Sequence, residues 1–422
     1  MDFEPWWLII VPLLFGLGWL AARFDVRQVL SESKNLPDSY FKGLNFLLNE
    51  QPDRAIEAFV EVVKLDPETT ELHFALGGLF RRRGEIERAI RVHQSLLSRA
   101  DLPPADREMA QYELAQDFLK AGLLDRAELA FEAVSHTERY AVLAARALIR
   151  IYESEHDWPK AITAVRRLRD LVDEPVPQLV HYQCEEAEMA LHPKAPQLDK
   201  AIQALQEAQT AARALGAEHG SVAAQARILI LSARLATLQG QPDQALSYYQ
   251  ELIHIAPLYT GLIAKDFMQV AQTTGQVDLA LQRLQQVYSQ QPSIDVFEVL
   301  FTNLRIHHGP EHAWSFARDA LRAHPSLLAL ERMLETELSF ADLHEQQPLL
   351  GQPAEALPTA QAAQLMMGQD LALLKNAVYK QAKRLDRYAC EQCGFEAQRF
   401  YWQCPGCSTW ESYAPKRLEE LQ

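Results

Sequence analysis

The chain has 422 residues, of which 48% are hydrophobic and 23% are charged, and its 41 Lys and Arg against 56 Asp and Glu give a formal net charge of −15. This composition excludes the disordered and collagen-like classes, and the acidic balance argues against broad nonspecific binding to nucleic acid or anionic lipid. Five cysteines, four of them near the C-terminus, do not form the pattern of a disulfide-stapled secreted scaffold.

An uncharged segment near the N-terminus predicts a membrane anchor. Residues 5–22 carry no charge, and 18 helical residues span about 27 Å, close to the thickness of a hydrocarbon core. A cleaved signal peptide is one alternative, but only Asp2 and Glu4 precede the apolar run, with no basic residue. A buried soluble helix is the other alternative. We predict an uncleaved transmembrane anchor at residues 1–22.

Basic residues after this anchor predict its orientation. Arg23, Arg27 and Lys34 follow the apolar run, and such residues stay on the cytoplasmic side of a membrane. We therefore expect a single-pass protein of a bacterial inner membrane with a periplasmic N-terminus. A juxtamembrane linker at residues 23–35 then leads to the bulk of the chain in the cytoplasm, where thiols stay reduced.

One pattern recurs from residue 36 to residue 340: a helical stretch, a short turn, and a second helical stretch that contains an anchoring alanine. Successive anchoring alanines are 34, 38, 34, 40, 44, 35 and 33 residues apart. They are Ala55, Ala89, Ala127, Ala161, Ala201, Ala245, Ala280 and Ala313. A period near 34 resembles the tetratricopeptide repeat, which implies about eight or nine helix pairs stacked into a superhelix. An ordinary helical bundle would not produce a fixed period.

Glycines mark the turns of this array. We expect four of them to end first helices in the left-handed conformation: Gly84, Gly122, Gly240 and Gly275. Small residues within the first helices, such as Gly43, Gly77 and Ala115, allow the paired helices to approach closely.

The sequence carries no signature of catalysis. It lacks a GxxxxGKS or GxxxxGKT phosphate loop, an HExxH pair and a GxSxG elbow. Because arrays of helix pairs usually bind other proteins, we predict a binding protein and not an enzyme. Cys184 lies in a helical stretch and is expected to be a small buried residue.

The C-terminal cysteines predict a metal site. After a linker and connecting helix at 341–387, residues 388–415 contain a C-x2-C-x10-C-x2-C pattern whose thiolates can meet at one tetrahedral ion. The four predicted ligands are Cys390, Cys393, Cys404 and Cys407. A domain this small depends on its metal for folding, with Trp402 and Trp410 among the aromatic residues of a miniature core. Because repeats contact mainly their neighbours, we expect the array to stay folded without the metal.

The second knuckle, CPGCSTW, resembles rubredoxin, which implies iron and electron transfer as one interpretation. We favour structural Zn²⁺, since the loop between the knuckles has only ten residues and no redox partner domain is recognisable in the chain. Iron remains the alternative. Four cysteines fill the tetrahedron, so no ligand position stays open for catalysis.

The anchor, the repeats and the terminal knuckles together resemble the lipopolysaccharide assembly protein B (LapB, YciM) family. The resemblance implies an all-α fold: a tetratricopeptide-repeat superhelix with one N-terminal transmembrane helix and a small C-terminal rubredoxin-like zinc ribbon. It also implies a nonenzymatic inner-membrane adaptor that regulates lipopolysaccharide biosynthesis by promoting proteolysis of the deacetylase LpxC by the membrane protease FtsH. YejM (PbgA) is the implied opposing partner. A general scaffold for cell-envelope assembly complexes is the alternative function.

A stripe of basic residues is a candidate partner-binding surface. In tetratricopeptide arrays the first helix of each pair lines the concave face, and aligning the repeats on their alanines places nine basic and four acidic residues on its exposed stripe. Seven of the basic residues are the candidates for partner binding. They are Arg81, Arg82, Lys120, Arg146, Arg150, Arg227 and Arg234. The stripe predicts a groove that captures an acidic peptide. The alternative is that these residues simply cover a solvated helix face.

Overall fold

The computed structural model describes Phe15, Trp19 and residues 38–65, 69–172, 174–345 and 373–421. Apart from Phe15 and Trp19, the predicted anchor and the linker at residues 23–35 lie outside the described residues. Within the described ranges, no helix combines the length and the apolar character that crossing a bilayer requires.

The described chain is predominantly α-helical and divides into two compact units. Unit 1 comprises residues up to Tyr152 together with Asp170–Val172, and unit 2 comprises Glu153–Arg169 and Asp173–Gln422. Helix pairs followed by a small ribbon with four cysteines confirm the predicted fold class for the described residues.

Unit 1 contains six helices among its described residues and shares a seventh and an eighth with unit 2. The first seven are Asp38–Leu48 (α1), Pro52–Leu65 (α2), Thr70–Arg83 (α3), Ile86–Leu97 (α4), Pro104–Lys120 (α5), Leu124–Val134 (α6) and Ala141–Glu155 (α7).

Unit 2 continues the alternation of first and second helices. Its helices are Trp158–Leu171 (α8), Gln178–Ala190 (α9), Leu198–His219 (α10), Val222–Leu238 (α11), Pro242–Ile255 (α12), Thr260–Thr273 (α13), Val277–Gln290 (α14), Ile294–His307 (α15), Pro310–Ala323 (α16) and Leu327–Glu345 (α17). A further helical stretch covers residues 373–382.

The anchoring alanines lie where the repeat pattern predicts. Each one sits in the second helix of a pair, from α2 to α16, and all eight are between 0% and 2% exposed. A side chain larger than a methyl group at these positions would push the paired helices apart, because protein interiors are close-packed.

The turns between paired helices also follow the prediction. The four turn glycines have φ values of 86°, 73°, 70° and 69°, in the left-handed region that glycine adopts at little cost. His156 occupies the corresponding place between α7 and α8 with φ of 56°, which is less favourable for a residue with a side chain.

A buried polar cluster joins three helices of unit 1. On α4, His93 is fully buried, and its Nδ1 lies 2.5 Å from Asp117 Oδ2 on α5. On α3, Arg81 Nη1 donates to Asp117 Oδ1 at 2.8 Å. Gly77 lies against the imidazole, so a Cβ built there would be 2.4 Å from His93 Nε2. The missing side chain at this position therefore makes room for the cluster.

The C-terminal ribbon contains very little regular structure. Strand β1 (Tyr388–Ala389) pairs antiparallel with strand β2 (Glu396–Ala397), and a short 3-10 helix covers Leu418–Leu421. The partly buried rings of Phe400 and Trp402 pack against the apolar core of the unit 2 helices. These two rings of the ribbon thus extend the hydrophobic core of the unit 2 helices.

Two adjacent glycines on α3 test the packing of the first helices. Replacing Gly77 with Ala forces a methyl group onto the buried His93 ring, and we expect this overpacking to cost about 1–3 kcal/mol. Gly78 is the matched control, since a Cβ there meets nothing within 4 Å. Replacing Gly78 with Ala should stabilise α3 by about 0.5–1 kcal/mol. Amide hydrogen exchange in α3 and α4 measures both effects, and equal protection in the two variants would contradict the packing argument.

Candidate metal centre

Two matched turns present the four cysteines. In the first knuckle the backbone N–H of Gly394 donates to Cys390 O at 2.8 Å, and in the second that of Ser408 donates to Cys404 O at 2.8 Å. Gly394 and Ser408 both have positive φ, 73° and 57°. The N–H of Gly406 donates to Cys404 Sγ at 3.3 Å. The sequence thus folds each C-x2-C segment into a turn that directs backbone N–H groups towards sulfur.

The sulfur positions fit a tetrahedral ion. Cys390 Sγ lies 3.7 Å from Cys407 Sγ, Cys393 Sγ lies 3.6 Å from Cys404 Sγ, and all four sulfurs lie within 4.8 Å of one another. Metal–sulfur bonds of about 2.3 Å in a tetrahedron place the sulfurs about 3.8 Å apart. The four cysteines therefore form a metal-binding site.

The thiols influence each other's ionisation. Burial raises the pKa of Cys390, but contacts with Ser412 and with the backbone N–H groups of Cys393 and Gln392 lower it to about 6. For Cys393, a backbone N–H favours the thiolate, but burial and the neighbouring sulfurs raise the pKa to about 12. Four thiolates this close repel one another, so full deprotonation of the site requires a bound cation.

Burial divides the four ligands into two pairs. Cys390 and Cys404 are buried and form a small cluster with Tyr388, whereas Cys393 and Cys407 are exposed. One side of the site is therefore held in the protein and the other faces solvent.

Cys184 lies apart from this centre. It is fully buried on α9, where burial raises the pKa of its thiol to about 12. A protonated thiol in an apolar core acts as a small hydrophobic group.

Two tryptophans attach the ribbon to the helices of unit 2. The Trp410 ring stacks on His181 of α9 at 4.8 Å, and its Nε1 donates to Glu153 Oε1 at 3.0 Å. The Trp402 ring stacks on Tyr259, just before α13, at 5.7 Å. These rings therefore face the helices of unit 2, whereas the sequence had predicted them in a miniature core of the ribbon. We call this contact the ribbon interface.

Arg227 lies inside the ribbon interface. Its guanidinium carbon is 5.4 Å from the centre of the Trp402 ring and 5.8 Å from that of Trp410, and the side chain is 1% exposed. Its Nη2 donates to Glu185 at 2.6 Å and to Glu188 at 3.0 Å. The predicted basic stripe included Arg227, but the ribbon covers this residue and separates it from solvent.

A carboxylate of the ribbon completes the interface. Glu411 Oε1 lies 2.7 Å from His181 Nε2, and Ser221 Oγ donates to Glu411 Oε2 at 2.5 Å. Burial raises the pKa of Glu411, but the hydrogen bonds with these two partners outweigh it and lower the pKa. Burial also lowers the pKa of His181, so a neutral imidazole donates its Nε2 proton to the carboxylate.

The segment after the ribbon binds two helix N-termini of unit 2. Glu420 accepts a hydrogen bond from the backbone N–H of Ile294, the first residue of α15, at 2.6 Å. Glu419 accepts from the N–H groups of Leu327 and Leu328 at the start of α17, at 2.6 and 3.1 Å. These carboxylates satisfy helix donors that would otherwise need water or a local cap.

The remaining residues of the predicted basic stripe fall into two groups. Arg81 bonds Glu113 and Asp117, and Arg234 lies within 3.7 and 3.9 Å of the carboxylates of Glu188 and Asp266. Four others are exposed on first helices of unit 1: Arg82, Lys120, Arg146 and Arg150.

The sequence does not indicate which residues the ribbon contacts. His181 and Ser221 lie 230 and 190 residues from Glu411, and no local pattern connects them. One signal in the sequence could have indicated such a contact: residues 388–415 contain seven aromatic side chains, more than so small a domain can bury by itself.

We expect loss of the metal to affect the helices of unit 2 and not only the ribbon. Replacing Cys390 with Ser should remove the bound metal and release the ring contacts of Trp402 and Trp410, which are worth about 0.5–1.5 kcal/mol each. Metal analysis and hydrogen exchange would show no metal and faster exchange in α9, α11 and α13, with α3 and α4 unchanged. Replacing Cys184 with Ala is the control that keeps the metal. Unchanged protection of α9 and α11 in a metal-free variant would contradict the coupling.

The capping carboxylates give a second measurable effect. Replacing Glu419 with Ala leaves the first N–H groups of α17 without their partner, and we expect a loss of about 1 kcal/mol. Burial raises the pKa of Glu420, which makes its ionised form costly, so the Glu420 variant should lose less. Replacing the exposed Glu391 with Ala is the control. Urea denaturation followed by circular dichroism compares the three variants, and equal stabilities would show that the caps contribute nothing.

Models of known protein families match both the ribbon and part of the helical array. A family model described as the rubredoxin metal binding domain of LapB matches residues 388–415, and a tetratricopeptide repeat model matches residues 42–103. Among solved structures, a tetratricopeptide repeat protein from Parabacteroides merdae aligns with 13% identity over 71% of this chain and 100% of that one, at a TM-score of 0.30.

Curated relatives match almost the whole chain. Lipopolysaccharide assembly protein B of Escherichia coli strain K12 is 28% identical over 412 residues, which cover 97% of this chain and 97% of the relative. The protein of the same name from Haemophilus influenzae is 27% identical over 430 residues, with 98% of each chain covered. The chain is thus similar over almost its whole length to lipopolysaccharide assembly protein B, and it combines tetratricopeptide repeats with a C-terminal metal-binding domain.

Proposed function

We propose that this chain is a nonenzymatic adaptor in lipopolysaccharide assembly. The observation that carries the proposal is the similarity to lipopolysaccharide assembly protein B over 97% of both chains. A shared repeat alone would align only helix pairs, whereas this similarity spans the repeats and the four-cysteine ribbon. An array of helix faces joined to a ribbon suits binding of other proteins better than chemistry on a substrate.

We assign the metal centre a structural role with Zn²⁺ as its ion. Four sulfurs fill a tetrahedron and leave no position for a substrate or water. The ribbon interface supports this structural role, because the metal-bound knuckles would hold the backbone in the conformation that places Trp402 and Trp410 against the helices of unit 2.

The family resemblance extends the proposal to named partners. The adaptor would promote proteolysis of the deacetylase LpxC by the membrane protease FtsH, and YejM (PbgA) would oppose it. An anchor at residues 1–22, with the bulk of the chain in the cytoplasm, would hold the adaptor in the same inner membrane as the protease. Tethering both in one plane raises their effective concentration without any new contact.

The turnover of LpxC tests this function. In the bacterium that encodes the chain, depletion of the protein should lengthen the half-life of LpxC several-fold after translation is stopped, as followed by immunoblot. Wild-type protein should restore the short half-life, whereas a variant without residues 1–22 should not restore it at native expression. The Cys184→Ala variant serves as the control that should behave as wild type.

Other outcomes would point to other functions. An unchanged LpxC half-life together with altered lipopolysaccharide content would contradict the proteolysis step and support a general scaffold for envelope assembly. Stoichiometric iron in a red purified protein would contradict the zinc assignment and support electron transfer, because zinc sites are colourless.

A further inference from the structure

The last first helix of unit 1 presents basic side chains on one exposed face. On α7, Leu143, Arg146 and Arg150 are spaced by three and four residues and therefore share a face. All three are exposed, whereas Ala145 and Leu148 on the opposite face are buried. The side of α7 that carries both arginines thus faces away from the core.

The preceding first helix continues this face. The ring of Tyr112 on α5 stacks at 4.7 Å on Tyr140, the residue immediately before α7. Gln116, one turn after Tyr112, donates from Nε2 to its hydroxyl at 3.0 Å. Lys120, one further turn along, is exposed. This side of α5 therefore lies beside the basic side of α7.

The C-terminal end of α3 adds a third basic position. Arg81 bonds Asp117 and Glu113 of α5, which places the two helices side by side and neutralises Arg81. Its neighbour Arg82 is exposed. The exposed acid on this side of α3 is Glu71, which is eleven residues from Arg82 and so about 16 Å away along the helix.

We infer that this face of unit 1, formed by Arg82, Tyr112, Lys120, Leu143, Arg146 and Arg150, binds an acidic segment of a partner protein in an extended conformation. The face combines cationic side chains with an apolar residue in a chain whose net charge is −15. Such local charge complementarity directs a negatively charged partner to this surface.

The spacing of the helices sets the pattern of the segment. Packed helices lie about 8–10 Å apart. A segment in the extended polyproline II conformation advances about 3.1 Å per residue and has three residues per turn, so every third side chain lies on the same face. Acidic side chains at every third residue of the partner would therefore meet one cationic helix each, on α3, α5 and α7. The segment needs about seven to nine residues to reach all three helices.

The chain itself shows this chemistry in unit 2. There, Glu411 binds His181 and Ser221 at the first helices α9 and α11, and Glu420 binds the start of α15. Carboxylates of the ribbon and of the segment after it therefore already bind first helices of this array. The inference rests on the proposed adaptor function and specifies the chemistry of the segment that the adaptor recognises.

A synthetic peptide tests the binding surface. The probe is a fluorescein-labelled peptide with four repeats of Glu-Ser-Leu, and its uncharged counterpart has four repeats of Gln-Ser-Leu. Anisotropy with the full chain in nonionic detergent, at about 10 mM salt where the Debye length is about 30 Å, should show binding of the acidic peptide only. Reversing Arg146 and Arg150 to Glu should weaken this binding about tenfold, because two attractions become repulsions.

A matched double variant separates this site from net charge. Arg318 and Arg322 on α16 are exposed and have the same four-residue spacing, so reversing them changes the net charge equally. This control should bind the peptide within about twofold of wild type.

Two results would overturn the inference: equal weakening in both double variants, or no binding of the acidic peptide by wild type. A third contradicting result is that the wild-type chain binds dihexanoylphosphatidylglycerol but not the peptide, and that reversing Arg146 and Arg150 abolishes the lipid binding. This result would identify the face as a surface for anionic lipid. Normal turnover of LpxC in cells carrying the Arg146 and Arg150 variant would show that the adaptor does not use this surface. That result would not contradict the proposed adaptor function.

Discussion

The convergence of four cysteine sulfurs on one metal-binding site is the constraint on which the ribbon and its contacts with the helices of unit 2 depend. The ribbon has two strands of two residues each, and its largest rings, Trp402 and Trp410, face the helices of unit 2. A domain that presents its apolar side chains to a neighbour has little left for a core of its own, so cross-linking by the metal must replace that core. The helices in turn bury Arg227 and His181 beneath the same rings.

Features encoded by local periodicity could be predicted from the sequence. The eight anchoring alanines are buried as expected, because a repeat fixes the face on which each residue lies. The turn glycines adopt the expected left-handed conformation, because the chain must reverse there and other residues resist positive φ. The converging sulfurs could also be predicted, because each C-x2-C segment forms a short turn that fixes the positions of its two sulfurs locally.

Contacts between distant parts of the chain could not be predicted in this way. Periodicity placed Arg227 on the outward stripe of its helix, but a period does not reveal what lies above that stripe. The structure covers Arg227 with two rings from the ribbon, more than 170 residues away in sequence. The roles of His181, Ser221 and Glu411 likewise depend on tertiary contacts that leave no regular spacing in the sequence.

The separation between His181 and Glu411 also determines the order of events during synthesis. The two residues are 230 positions apart, and ribosomes add about 5–20 residues per second, so His181 emerges about 12–46 s before its partner exists. During that interval α9, α11 and α13 expose to solvent the apolar and charged surface that Trp402 and Trp410 later cover. The buried cluster of Arg81, His93 and Asp117 in unit 1 contains no residue from the ribbon. Unit 1 can therefore complete the packing of this cluster on the nascent chain before the ribbon has been synthesised, whereas unit 2 cannot complete its own packing until then.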